Sequence, residues 1–321
     1  MNFRNPNLDI LKGFLISIVV VGHSIQTTNI NFDSNYLFKF IYSFHMPFFF
    51  LISGYLAFFS LSNKCDVHSC VINKVRYLVI PFASWYIIAY FLHGHSLVDF
   101  TDYLLLLGYG VDRGLWYLWI LFIMYGILWI AFKLALENIV RTYVILLFFI
   151  AIIPNSDVLG AKYLKWYLIF FLLGILINAY QPFFERIYKK FDNYLVLFLI
   201  SILFILGVYF IWSRNYIAGG FFSSQYTFMA FKFFIAIIGI YIVYDFITKL
   251  SIFKSSFIQS LGKNSLGIYI LNFPIVGFLV HDFLINNFLI VAVISVTLSH
   301  YLSLYLSKIR YISILFGVKK Q

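Results

Sequence analysis

The chain has 321 residues, a formal net charge of +11, 63% hydrophobic residues and only 11% charged ones. A soluble domain is about 45–50% apolar and about 25% charged, so this composition excludes an ordinary soluble protein and points to a polytopic helical membrane protein. The basic excess does not imply nucleic acid, because membrane proteins collect lysine and arginine in cytoplasmic loops.

Apolar runs of about 20 residues match a hydrocarbon core about 30 Å thick. Ten such spans are expected, near 8–28, 36–61, 77–93, 114–132, 142–157, 163–180, 194–212, 227–248, 264–285 and 287–307. The fold class is therefore an all-α membrane bundle of about ten helices. It forms a single integral-membrane domain, 1–321, with no stretch polar and long enough for a soluble one. The first run lacks a small-residue cleavage pattern after it and reads as a retained helix. With the N-terminus inside, 17 of the 23 lysines and arginines fall in cytoplasmic segments, leaving Lys39, Arg113, Lys162, Lys165, Arg214 and Lys232 outside or at outer helix ends. That asymmetry predicts both termini in the cytoplasm.

The first span carries Asp9, Lys12, Gly13 and His23. Fourteen residues separate Asp9 from His23, which at 100° per residue leaves them on nearly one helix face, about 21 Å apart along the axis. With Asp9 at the inner interface, His23 lies well inside the hydrocarbon. The second span holds "SFHMPFFFLISGY", which suits a membrane interior except at Ser43 and His45. His45 reaches a depth similar to that of His23, so the two histidines are expected to face one buried cavity.

An ionisable residue inside a span is by default a functional-site hypothesis. The alternative for each histidine is a neutral ring satisfied by a backbone carbonyl or a serine. Imidazole titrates at about 6.5 and is an effective base near neutrality. A metal is not expected, because no third inward-facing His, Cys or carboxylate lies at that depth. Pro47 removes a helical hydrogen bond near His45. Ser53 and Gly54 allow either a polar lining or close helix packing. Cys65 and Cys70, with His68 between them, read as reduced thiols in a cytoplasmic loop.

Further along, Asp112 and Arg113 suit either a polar acceptor or a surface loop. Trp116 and Trp119 lie near an outer helix start and suit interfacial anchoring or sugar stacking. Asn264, Ser265 and Tyr269 are polar groups beside a late helix, open to packing, capping or donor binding.

Several of these stretches together carry a family resemblance. "RNPNLDILKGFLISIVVVGHS" resembles the opening of the acyltransferase 3 family of multi-span membrane acyltransferases, and "FHMPFFFLISGYL" its second-helix motif. "KVRYLVIPF", "LWYLWILF" and "LGKNSLGIYILN" resemble its later elements, in family order. Three positions depart from the pattern. Lys12 stands where arginine is commoner. Lys74-Val75-Arg76 replaces two arginines three apart. Asn272 stands where many members have a histidine, which removes a titratable group there.

The resemblance implies acyl transfer, usually of acetyl from acetyl-CoA, to a hydroxyl of a glycan or lipid-linked sugar such as O-antigen or capsule. It implies a bacterial inner membrane, with lipid as surroundings. It implies His23 as the catalytic residue. Beside it, His45 would orient His23, stabilise the oxyanion or relay the proton, and Asp9 would orient Lys12 or Arg76 by an ion pair or stand as an interfacial carboxylate with no partner. It also implies that cations near the cytoplasmic face meet the donor: Lys74 and Arg76, and with them Arg4 and Lys12. The alternative for all four is topology-setting charge. Tyr269 and Ser265 are further donor candidates; Trp116, Arg113, Asp112 and Ser53 are acceptor candidates. The rival functions are a transporter or flippase of a lipid-linked sugar, and a glycan polymerase. The latter usually needs an outer loop larger than the one near 94–113.

Overall fold

Thirteen α-helices make up the described residues of a computed structural model, which are 5–62, 67–92, 115–214, 224–250 and 255–317. The first, α1 (Pro6–Thr28), opens on a proline whose missing N–H is no loss at a helix start, and the Asn5 side chain accepts the Asn7 N–H at 2.9 Å. A 3₁₀ turn, Phe32–Ser34, leads into α2 (Tyr36–Ser62), which contains Pro47. Next come α3 (Val67–Lys74), a π-helical segment Val75–Val79 and α4 (Ile80–Leu92). Pro81 cannot donate to the carbonyl of Tyr77, and the widened π turn takes up that missing bond beside Arg76.

The middle of the chain forms α5 (Trp116–Leu134), α6 (Ile139–Ile152), α7 (Ala161–Ala179), α8 (Gln181–Phe191) and α9 (Tyr194–Phe210). The last four helices are α10 (Gln225–Lys249), α11 (Ser256–Lys263), α12 (Ser265–His281) and α13 (Phe288–Leu306), followed by a 3₁₀ segment Ile312–Phe316.

Among the described residues, six helical stretches are long and apolar enough to cross a membrane, and eight if each of two bent helix pairs counts as one span. The protein is thus an all-α, multi-pass membrane bundle. The expected spans near 194–212 and 264–285 are the second limbs of those pairs, α8–α9 bent by 91° and α11–α12 bent by 83°. The reason is local. The α8 sequence "QPFFERIYKKF" is amphipathic, and Asn193 starts α9 afresh by accepting the Leu195 N–H at 2.8 Å. The expected span near 142–157 is the shorter helix α6.

Contacts gather the chain into two compact units. One comprises Met1–Phe49 and Tyr180–Tyr301, the other Phe50–Ala179 and Leu302–Gln321. In the first, α1 packs along α11 and α12. Glycines make that packing possible: a Cβ on Gly13 would lie 2.0 Å from the Ile258 carbonyl oxygen, and one on Gly262 would lie 1.6 Å from that of Asp9. The two backbones therefore touch directly. In the second unit, α2 and α7 meet in the same way, with a Cβ on Gly54 placed 1.8 Å from the Phe171 carbonyl oxygen and one on Gly174 placed 2.0 Å from that of Leu51. The C-terminal 3₁₀ segment is pinned to α4 by the Trp85 indole N–H, which donates to the Leu315 carbonyl at 3.0 Å.

Cys70 is disulfide-bonded, not the reduced thiol expected; Cys65 lies outside the described residues. The expectation rested on compartment alone, whereas bridging depends on two Cα atoms coming within about 7 Å.

Candidate active site

His23 sits four turns up α1, partly buried, with Nδ1 2.6 Å from the side-chain oxygen of Asn272 on α12. Phe273 approaches the imidazole edge-on at 5.6 Å. Asn272 is fully buried. Its amide nitrogen donates to the backbone carbonyls of Ile268 at 3.0 Å and Tyr269 at 2.6 Å. Its own carbonyl accepts from the Ser295 hydroxyl at 3.4 Å.

His45, on α2, is buried and donates from Nδ1 to the Ile41 carbonyl one turn back, at 2.7 Å. It is within electrostatic reach of His23. Tyr42 packs edge-on against His45 at 4.7 Å and bonds the Gln26 side chain at 3.2 Å. The two histidines thus differ. His45 has the backbone partner of an ordinary satisfied core histidine, and His23 has a side-chain partner on another helix.

Asp9 is buried near the start of α1 and pairs with Lys12 at 3.0 Å. The same segment receives Gly262 of the "LGKNS" stretch against the Asp9 carbonyl. Ser265 is the first residue of α12, and Asn264 at the bend donates to the His300 carbonyl at 3.1 Å. Tyr269, one turn before Asn272, offers its carbonyl to the Asn272 amide. His23, His45, Asp9, Lys12, Ser265 and Tyr269 all belong to the first unit.

The remaining described candidates lie in the second unit. The Lys74 ammonium stands over the Tyr125 ring, 3.6 Å from its centroid, a cation–π contact. Arg76, two residues on, instead lines a cavity of about 230 Å³ together with Arg310, Tyr311, Ser313 and Ile314. The Ser53 hydroxyl bonds that of Tyr117 at 2.8 Å. Trp116 stacks on Tyr163 at 4.8 Å, within a cluster that includes Phe50 and Tyr167. The Trp119 indole donates to the Leu159 carbonyl at 3.2 Å. Arg4, Asp112 and Arg113 lie outside the described residues.

Sequence reasoning gave two residues too small a part. Asn272 stands out in the sequence only for the titratable group it lacks, and Arg310 is one of the 17 cations that the charge count puts in cytoplasmic segments. The available signal for Asn272 was an amide buried in the otherwise apolar run "IYILNFPIV".

A multi-pass helical membrane protein with a partly buried histidine on its first span is consistent with the membrane acyltransferases. The chain belongs to the acyltransferase 3 family, whose acyltransferase domain matches it over residues 5–308. It is 34% identical over 130 residues to the nodulation protein NolL of Mesorhizobium japonicum, covering 38% of this chain and 34% of that protein. It is 38% identical over 88 residues to the nodulation protein NolL of Sinorhizobium fredii, covering 26% of this chain and 24% of that protein. The chain therefore spans about a third or less of the length of these curated relatives. No solved structure matches it.

Proposed function

We propose that this acyltransferase moves an acetyl group from cytoplasmic acetyl-CoA to a hydroxyl of a cell-surface glycan or its lipid-linked precursor, in a bacterial inner membrane. His23 is the general base. The carrying observation is the bond from partly buried His23 to fully buried Asn272, which presents an oriented imidazole inside an apolar span. Family membership favours transfer over the transporter and polymerase alternatives.

In the proposed step, His23 Nε2 takes the proton from the acceptor hydroxyl as its oxygen attacks the thioester carbonyl. The tetrahedral adduct collapses and expels the CoA thiolate, which recovers that proton from Nε2. The products are the O-acetyl ester and CoA, and the ring returns to its starting state. His45 donates its Nδ1–H to Ile41 and is left with an Nε2 lone pair. It suits a proton relay better than oxyanion stabilisation, which needs a donor. Asp9 holds Lys12 at the inner end of α1.

The donor's phosphates are met by Arg76 and Arg310, whose shared cavity brings together two cations that the charge count assigns to the cytoplasm. Arginine forks suit phosphate oxygens. Lys74, two residues before Arg76, adds positive charge for the donor in this reading, its ammonium resting over the Tyr125 ring. Trp116 and Ser53 serve the acceptor in this reading, as do Arg113 and Asp112, and Tyr269 and Ser265 serve the donor.

The test is transfer of radiolabelled acetyl from acetyl-CoA to glycan in isolated membranes. His23→Ala is expected to lower it by about 10²–10⁴-fold, the usual contribution of a general base. Undiminished transfer by His23→Ala would remove the base from this residue, and absence of any labelled ester would remove the reaction.

A further inference from the structure

We propose that Asn272 is a positioning residue that fixes the tautomer of His23. Its side-chain oxygen holds the proton on Nδ1 and so places the lone pair on Nε2. The inference rests on the reading of His23 as base.

The argument begins with which end of the amide faces the ring. Side-chain oxygen and nitrogen are alike in shape, and only their partners tell them apart. One end of the Asn272 amide meets two backbone carbonyls, those of Ile268 at 3.0 Å and Tyr269 at 2.6 Å. Carbonyl oxygens only accept, so that end is the NH₂ group. The other end, 2.6 Å from His23 Nδ1, is the oxygen, and oxygen there only accepts. Nδ1 must therefore carry hydrogen. In a neutral imidazole the other nitrogen then has the lone pair.

The holding is firm. Asn272 is buried completely, and two donors and one acceptor oppose any rotation of the amide. A flip would set the NH₂ group against Nδ1 and the oxygen against two carbonyls, leaving buried repulsive contacts.

The chemistry of the partner also fits. A carboxylate there would stabilise the imidazolium and hold the captured proton more tightly. A neutral amide orients the ring without adding buried charge, and the ring can return the proton to the departing thiolate. Asparagine thus supplies orientation where a titratable group would add basicity. His45 carries the same Nδ1–H tautomer by a different device, a backbone carbonyl one turn back. No side-chain substitution removes that acceptor, whereas the acceptor of His23 depends on residue 272.

Five preparations decide the matter: the wild type, Asn272→Leu, Asn272→Asp, His23→Gln and His23→Ala, each purified in lipid nanodiscs. The direct readout is the ¹⁵N spectrum of histidine-labelled wild-type protein, with the His23 signals identified by their loss in His23→Gln. The proposal expects a protonated Nδ1 and an unprotonated Nε2 for His23. The reverse assignment overturns it, whatever the activity.

The kinetic readout separates kcat from KM. Asn272→Leu is expected to lower kcat by about 10²-fold, within the range of a lost general base, with the donor KM little changed. Asn272→Asp keeps an acceptor oxygen toward the ring and, with its proton on the oxygen that faces the Ile268 and Tyr269 carbonyls, is expected to recover at least roughly a factor of ten, about one hydrogen bond. A wild-type kcat in Asn272→Leu sinks the proposal. Equal losses in Asn272→Leu and Asn272→Asp sink it too, because rescue by an acceptor is what a packing role would not show. His23→Ala keeps the two ideas apart. If it is active, the base reading itself is wrong. If it is inactive while Asn272→Leu is active, only the positioning role falls.

Discussion

His23 and His45 look alike in the sequence, each an imidazole in an apolar run, and their hydrogen bonds set them apart. His45 donates to a carbonyl of its own helix, the arrangement by which a buried histidine most simply satisfies itself. His23 reaches a buried amide on α12. A graded result follows. His45→Gln should cost less transfer activity than His23→Ala, by at least roughly one decade, since a relay is less demanding than the base itself. The check is a side-by-side assay of labelled ester at matched protein levels. Intramembrane depth and residue type mark both histidines in the chain, and only the family resemblance points to His23 in particular. Its partner was not legible, because Asn272 lies 249 positions away and its importance comes from an acceptor geometry that no local pattern encodes.

Among the helices, α1 is bound to α11 through bare backbone. A methyl on Gly262 would fall 1.6 Å from the Asp9 carbonyl oxygen, which nothing but a shift of one helix can relieve. Overpacking of this kind usually costs about 1–3 kcal/mol, more when backbone rather than a side-chain tip must move. Gly262→Val should therefore lower the unfolding temperature in detergent by several degrees and reduce transfer with it. Gly174→Val should do the same for α2 against α7, where the Leu51 carbonyl blocks the way. The "LGKNS" stretch was readable as a motif. The purpose of its glycine was not, since only the neighbouring helix shows why a Cβ is forbidden. The sharp bends at Asn193 and Asn264 escaped for a related reason. Hydropathy averages over a window, and a short amphipathic helix lying before a span merges into it.

At the scale of the whole chain, composition alone fixed the class, because so high an apolar fraction leaves a membrane bundle as the only outlet for it. The proposed orientation draws support from which loops meet. Asp33 pairs with Arg214 at 3.3 Å, both expected outside. Asp192 and Asp245 share Lys249 at 2.5 Å and 2.8 Å, with Lys249 among the cations expected inside. Cysteine labelling of intact cells should reach Asp33→Cys with a membrane-impermeant reagent and leave Arg310→Cys unlabelled until the membrane is opened. The opposite pattern would invert the topology. Arg310→Ala should raise the donor KM by about tenfold, the equivalent of roughly 1.4 kcal/mol, and Arg310→Lys should recover part of it, since the charge remains but the fork is lost. Equal KM values for Arg310→Ala and the wild type would move the phosphates elsewhere.

The bent pair α11–α12 holds α1 at two heights, by a glycine contact at Asp9 and by an amide at His23. Such a jig makes the three helices one inheritable cassette. Anyone building chimaeras with another member of the family should exchange residues 6–28 and 256–281 together, because a donor helix seated in a foreign jig would arrive with its imidazole out of register.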